Sequence, residues 1–314
     1  MKLGIAIPAI REEEIGKFID EWSFFKGKVY VMEDHQSKEF KLKRSVKHYT
    51  HKDVEKELKD SSWIIPQTSP ACRSYAIYKA WKDGCDIIYL MDDDVHALNQ
   101  NYFKIHQQNL ESYAIGGGDY HNTLEEKSGI FPRGYPQNEK TKHPVYLSHG
   151  LWHENPDLNG IDSLKHPDYR IPNDIKTRSI RKNTMFPMCG MNVAFKRDLT
   201  PAMYMGLQGP SWGFDRYDDI WCGYMAKKYC DVKGWGVCTG NPCVIHTKAS
   251  DPIANMEKEA TGFGYNEEYW KNMLNHSPRD AILESFPSEY GRKLNEAYSK
   301  WFRLFDLNFD MEFM

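Results

Sequence analysis

Three consecutive aspartates, Asp92, Asp93 and Asp94, close the apolar run Ile87 to Met91 in the stretch CDIIYLMDDDVHA. Adjacent carboxylates repel one another, and a hard divalent cation with oxygen ligands relieves that repulsion most simply. The alternative is that aspartates after a strand cap a turn or the next helix. A calcium loop, with alternating acids around a central glycine, does not fit, because Val95, His96 and Ala97 follow. Other residues could share the chemistry. Asp34 ends an apolar run, Arg73 follows Pro70 at a helix start, Asp218 and Asp219 open a helical pattern, and His246 and Lys248 lie in VIHTKAS. Each also has a structural reading: a turn cap, a salt bridge, helix-start acids, a hydrogen-bonding histidine and a solvated lysine.

Periodicity indicates the elements that hold these residues. LGIAIPAI (Leu3 to Ile10) and KVYVMED (Lys28 to Asp34) are expected strands around a helical pattern from Glu13 to Phe25, a βαβ opening. A strand is expected near Trp63 to Ile65, a helix from Ser69-Pro70 to Gly84, and then the strand into Asp92. This sets Asp34 and the three aspartates on the ligand edge of a doubly wound sheet. No glycine-rich dinucleotide or Walker loop occurs, and Gly116-Gly117-Gly118 follows a helical stretch rather than opening one. A diphosphate bound here would need a metal. From about Gly129 to Asp198 turn formers dominate, so loops and short strands are expected over the sheet edge. Phe186 to Phe195 is a strand candidate broken at Gly190, a helix is expected from about Asp218, and WGVCTGNPCVIHTKASDP reads as two short strands and a loop. From Pro287 to Phe305 a helical pattern aligns Leu294, Ala297, Trp301 and Leu304. That stripe needs burial on the domain or across a contact between copies, which leaves a homo-oligomer open.

The chain has 314 residues, 40% of them hydrophobic, enough for a sizeable core, and a net charge of −3 that offers no general attraction to nucleic acid or to anionic membranes. No stretch approaches the roughly 20 apolar residues of a membrane span, so no membrane insertion is expected. The amino terminus lacks the apolar core of a secretory signal, and a cytoplasmic location is expected. Seven scattered cysteines do not form a disulfide framework, and Cys222, Cys230, Cys238 and Cys243 lack the close pairs of a zinc site.

DDD after an apolar strand, FPRGYP, SHGLW, FPMCGMNVAF, DRYDDIWCG and IHTKASDP, in that order, resemble the reversibly glycosylated polypeptides, the UDP-arabinopyranose mutases. The similarity runs from about Asp34 to Pro252. It implies an α/β, GT-A-like nucleotide-sugar-binding fold, a single mixed sheet with helices on both faces, expected over residues 1–270; the helical pattern near the carboxyl end makes 271–314 an expected helical extension packed on it. It also implies a divalent metal, Mn²⁺ or Mg²⁺, and flavin-free interconversion of a UDP-sugar between pyranose and furanose rings. The segment after Tyr135, PQNEKTKHP, lacks a second arginine of the plant members, and QGPSWGFDRYDD differs before its shared end.

Carried over residue by residue, the resemblance assigns Asp94 to the metal and Asp92 to the metal or the ribose, with His246 as a nitrogen ligand. Lys248 bears on a phosphate, Asp34 on uracil or ribose, and Arg73 on the diphosphate or on a structural salt bridge. Of Asp218 and Asp219, one caps the helix and the other faces the sugar. Arg133 corresponds to the arginine that carries the reversible glycosylation, although a guanidinium stays protonated and is a poor nucleophile. It either accepts the sugar or supports the departing diphosphate. A glycosyltransferase with a UDP-sugar donor and a non-catalytic UDP-sugar-binding partner subunit are the alternatives.

Overall fold

β1 (Leu3–Ala9) lies inside the sheet because its side chains are apolar on both faces. Ile5 and Ile7 enter one core and Ala6 the other, all fully buried. The computed structural model describes residues 1–43, 45–115, 130–137, 140–172, 174–247 and 251–314. After β1 come α1 (Glu12–Glu21), β2 (Lys28–Glu33), β3 (Lys47–Tyr49), α2 (His51–Leu58), α3 (Cys72–Lys82) and β4 (Ile87–Met91). Next are β5 (Val95–Ala97), α4 (Tyr102–Glu111), β6 (Tyr113–Ile115), β7 (Lys142–Glu154), α5 (Gly160–Lys165), β8 (Arg178–Ile180), β9 (Asn192–Lys196) and α6 (Asp218–Lys233). β10 (Gly236–His246) precedes α7 (Pro252–Ala260), α8 (Phe263–Asn275), α9 (Pro278–Ser285) and α10 (Ser288–Arg303). The expected boundary at residue 270 lies inside α8.

The strand order is β3-β2-β1-β4-β9-β7-β10-β5. β9 runs antiparallel to β4 and β7, β5 runs antiparallel to β10, and the other pairs on this path are parallel. On one face, Ile15 and Phe18 of α1 and Tyr102, Phe103 and Leu110 of α4 pack with Ile5 and Ile7. On the other, Tyr75 and Ala76 of α3, Trp221 of α6 and Trp301 of α10 join the core that contains Ala6. The single mixed sheet with helices on both faces is therefore present.

β4 and β5 are separated by only Asp92, Asp93 and Asp94, yet β9, β7 and β10 stand between them in the sheet. Four chain steps reach at most about 15 Å, whereas four strand spacings on a flat sheet span about 19 Å. The sheet must curl so that the end of β10 approaches the end of β4. The register of β10 against β7 shifts between Gly240 and Cys243, where the bend is taken up.

Three expectations need correction. The region from Gly129 to Asp198 is not only loops and short strands over the sheet edge, because it contributes the 13-residue β7, inside the sheet between β9 and β10. Its signal is masked by polar residues on the buried side. Ser148 and His149 are buried, and their polar atoms are satisfied by His106 and Thr239. Trp63 to Ile65 is not a strand: a 3-10 helix covers Lys59–Ile64, and so short an apolar run fits either element. The two strands expected around Gly240 are one strand with an irregularity, β10.

The α10 stripe is buried within the chain. Leu294, Ala297 and Trp301 are in the core, and the Trp301 indole donates to the Pro201 carbonyl at 3.0 Å. Leu304 is half-buried against the same core. No helix among the described residues is long and apolar enough to cross a membrane.

Candidate active site

Arg73 lies in the first turn of α3 and is buried. Its Nη1 donates to the Gly190 carbonyl at 2.7 Å, and its Nη2 pairs with Asp92. Gly190 in turn donates its N–H to Asp219 Oδ2 at 2.7 Å, and Asp219 Oδ1 accepts the Ile220 N–H at 2.9 Å. A Cβ on Gly190 would stand 2.1 Å from Arg73 Nη1, so only glycine lets the guanidinium approach. Enclosure works against the Arg73 charge, but Asp92, then Asp218 and Asp219, outweigh it and raise its pKa. Of the two readings of Arg73, the structure displays the salt bridge.

The three aspartates diverge. Asp92 turns to Arg73 on the α3 face, and Asp93 turns to Arg11 beside α1. Enclosure raises the Asp93 pKa against the pull of Arg11. Asp94 is half-buried and has no hydrogen-bond or ion-pair partner among the described residues. His246, at the end of β10, pairs in register with Val95, the residue after Asp94. The Asn155 carbonyl lies 2.7 Å from His246 Nδ1 and can only accept, so Nδ1 carries the proton and Nε2 keeps a lone pair. A ring oriented in this way is how metal-binding histidines are held.

Among the described residues no three His, Cys, Asp or Glu side chains are assembled to hold an ion by themselves. Asp94 and His246 instead supply two open donors, which fits a divalent ion that takes its remaining ligands from substrate phosphates and water. Asp92 has one oxygen in the Arg73 pair.

Asp218 and Asp219 begin α6, where acids also suit the helix dipole. Asp219 brackets Gly190, whereas the Asp218 carboxylate is partly accessible and takes no hydrogen bond from another described residue. Enclosure raises the pKa of both; Arg73 pulls Asp218 down, and Asp218 pushes Asp219 further up. Asp34, just past β2, accepts from His51 Nε2 at 2.7 Å and from the Thr68 N–H at 3.1 Å. Lys248 lies outside the described residues.

Arg133 makes no ion pair or hydrogen bond with these carboxylates among the described residues. It is exposed in a turn next to Gly134 (φ +92°) and has no partner among the described residues. The connection that carries it leaves β6 and enters β7 at the amino end of β7, the sheet edge opposite Asp92.

Residues 1–275 match the reversibly glycosylated polypeptide family. The chain belongs to that family. It is 35% identical over 283 residues to probable UDP-arabinopyranose mutase 1 of Solanum tuberosum, covering 85% of this chain and 75% of that one. It is 35% identical over 285 residues to UDP-arabinopyranose mutase 3 of Arabidopsis thaliana, covering 85% and 76%. Among solved structures, glucosyl-3-phosphoglycerate synthase from Mycobacterium tuberculosis with Mn²⁺ and UDP-glucose overlaps at TM-score 0.46 and 11% identity, covering 82% and 76%. A mannosyltransferase from Pyrobaculum calidifontis with GDP-mannose and Mn²⁺ overlaps at TM-score 0.41 and 9% identity, covering 96% and 83%. Those overlaps are loose, and the assignment stands on the sequence relatives.

In this chain the SHGLW block positions the others. His149 Nδ1 donates to Thr239 Oγ1 at 2.8 Å, and Nε2 accepts the Cys189 N–H at 3.1 Å, next to Gly190. Burial pushes its pKa down to about 4, so the ring stays neutral and keeps that acceptor. Sequence reading missed Asp157, Asn155 and the Arg216–Glu259 pair. Asn155 orients His246, and Asp157 accepts a hydrogen bond from the Cys189 thiol with Arg216, His246 and Asp92 nearby. The run HENPDLNG carries turn formers, and its only functional signal was an acid just after SHGLW.

Proposed function

We propose that this chain interconverts the pyranose and furanose forms of a UDP-linked sugar, UDP-arabinose or a close relative, with Mn²⁺ or Mg²⁺ and without flavin. The observation that carries this reading is its identity to UDP-arabinopyranose mutases across 85% of its length. The site geometry supports it, because Asp34, Asp92, Asp94, Asp218 and His246 all lie where strands end or helices begin on one edge of the sheet.

Ring interconversion requires the anomeric carbon to part from UDP, the ring to open, another hydroxyl to close it, and UDP to return. Asp94 and His246 would hold the metal, which when bound supplies Lewis acidity against the charge of the departing diphosphate. Asp34, fixed by His51, receives the ribose or uracil. Arg73 keeps a buried positive charge beneath the diphosphate while anchoring Asp92 and Gly190, and Lys248 adds a point charge to a phosphate. Asp218, which takes no hydrogen bond from another described residue, faces the sugar, where a carboxylate takes a hydroxyl proton or stabilises oxocarbenium charge. Asp219 holds the Gly190 turn that aligns the site. Arg133 is required, and peptide mass spectrometry after incubation with labelled UDP-sugar separates covalent attachment from diphosphate support. We place the protein in the cytoplasm, in keeping with seven free, buried cysteines.

The test is to incubate purified protein and metal with UDP-arabinopyranose or UDP-galactopyranose, without acceptor, and to resolve the ring forms. New furanose supports a mutase. Turnover only with an added acceptor points to a transferase, and binding without turnover to a partner subunit.

A further inference from the structure

The segment that follows β7 is clamped at both ends, and the residue in the middle has no role in the account above. On the first side, Asn155 N and Nδ2 both donate to the His246 carbonyl at 3.1 Å, Nδ2 also donates to Thr247 O at 3.0 Å, and the Asn155 carbonyl accepts from His246 Nδ1. On the second side, Asn159 caps α5 by accepting the Asp162 N–H at 2.9 Å. The Gly160 N–H donates to Glu259 Oε2 at 2.9 Å, and Glu259 Oε1 accepts from Arg216 Nε at 3.0 Å. A Cβ on Gly160 would stand 2.6 Å from the Pro252 carbonyl, so the chain is pressed against the start of α7. Between these clamps lies Pro156-Asp157-Leu158, closed by a 2.9 Å bond from Leu158 N to Pro156 O.

Asp157 is exposed to solvent; its carboxylate accepts a hydrogen bond from the Cys189 thiol, a weak donor, and takes none from a backbone N–H or a cation among the described residues. The two arginines at the site are already engaged, Arg216 by Glu259 and Arg73 by Asp92 and Gly190. Asp157 also does not complete a metal cage with Asp94 and His246, since no three such side chains converge among the described residues. With only the Cys189 thiol as donor, a fixed, accessible carboxylate has room for further donors. Phosphate oxygens are acceptors and carry the same charge, so the diphosphate is excluded. Sugar hydroxyls are neutral donors, and two neighbouring hydroxyls match the two oxygens of one carboxylate.

We infer that Asp157 is the sugar-recognising residue of this site, accepting hydrogen bonds from ring hydroxyls of the nucleotide-linked sugar and thereby deciding which sugar is taken. This inference rests on the UDP-sugar reading given above. It adds a specificity residue that is set by the loop after β7 and held in place by the same Asn155 that orients His246.

The test is calorimetric titration of wild type, Asp157→Asn and Asp157→Glu with UDP and with UDP-arabinopyranose, both in Mn²⁺. Wild type binds the UDP-sugar more tightly than UDP. Asp157→Asn loses at least tenfold of that sugar-dependent affinity, holds UDP within about threefold, and keeps its Mn²⁺ affinity by electron paramagnetic resonance. Asp157→Glu keeps the charge but moves it by one methylene, and changes the order of preference between UDP-pentose and UDP-hexose. Equal losses for UDP and UDP-sugar, lost Mn²⁺ binding, or no change in either variant would each overturn the inference. If wild type makes no furanose while Asp157→Asn still loses only sugar-dependent affinity, the mutase reading fails and this one stands. If wild type interconverts the rings and Asp157→Asn keeps both rate and affinity, this one fails alone.

Discussion

Asp92→Asn leaves the Arg73 guanidinium, which is 8% exposed, with the Gly190 carbonyl as acceptor and no carboxylate in ion-pair contact. Removing one partner of a fully buried pair costs about 3–5 kcal/mol. Here the Asp92 side chain is 31% exposed, and Asp218 and Asp219 still attract Arg73. A loss of about 2 kcal/mol is therefore expected, with water screening part of the pair. Unfolding entropy near 2.1 cal/mol/K per residue gives this chain about 0.7 kcal/mol/K, so Tm falls by roughly 3 °C. Asp94→Asn removes a carboxylate that has no hydrogen bond or ion pair among the described residues, so Tm in chelator stays level or rises slightly, while Mn²⁺ binding and UDP-sugar turnover are lost. Scanning calorimetry in chelator, with Mn²⁺ titration of each variant, reads both quantities. A fall in Tm for Asp94→Asn with none for Asp92→Asn would refute this division of labour. Full wild-type turnover in excess chelator after dialysis would refute the metal assignment itself.

Gly190→Ala puts a methyl 2.1 Å from Arg73 Nη1, and overpacking of this kind costs about 1–3 kcal/mol; urea unfolding should show the loss together with reduced turnover, and a wild-type midpoint would count against the hub. Arg133→Lys keeps the charge but removes the fork, so ring interconversion should vanish while UDP affinity by calorimetry stays within about tenfold, roughly 1.4 kcal/mol; wild-type rates would overturn its role. The third prediction concerns pH. Enclosure raises the Asp218 carboxyl to about 6, above the value of about 3.9 for an unfolded aspartate. The stability this group contributes is complete below about pH 4 and is lost as pH rises through about 6. The Tm of Asp218→Asn minus that of wild type should therefore increase from pH 4 to 7, and a decrease would show that the folded pKa is not raised.

How much of this was legible in the sequence depended on whether a residue's surroundings were local. The strand into Asp92 and the helix from Asp218 could be read because each is defined by its own periodicity and end signals. Asp92 and Asp93 turn to different partners, Arg73 and Arg11, as alternation past a strand end allows. β7 was hidden because Ser148, His149 and Gly150 break an apolar pattern. They are tolerated inside the sheet only because His106, Thr239 and Cys189 complete their hydrogen bonds, and because a Cβ at Gly150 would strike Asn192 and the Pro242 carbonyl. Asp157 was illegible for a related reason. Its value comes from Asn155 gripping β10 and Gly160 gripping Glu259, neither of which is encoded near it.

The curl that brings the end of β10 against β5 also governs when the site comes into being. Asp94 and His246 are separated by roughly 150 residues of chain, so their meeting is a contact of long sequence range that closes late in folding. During synthesis the aspartate turn emerges while β9, β7 and β10 do not yet exist. A nascent or truncated chain ending before β10 would carry the acids but not the imidazole, and so only one of the two donors proposed for the metal. Proteolysis between α6 and β10 should likewise remove ligand binding in one step, leaving no fragment with half the affinity.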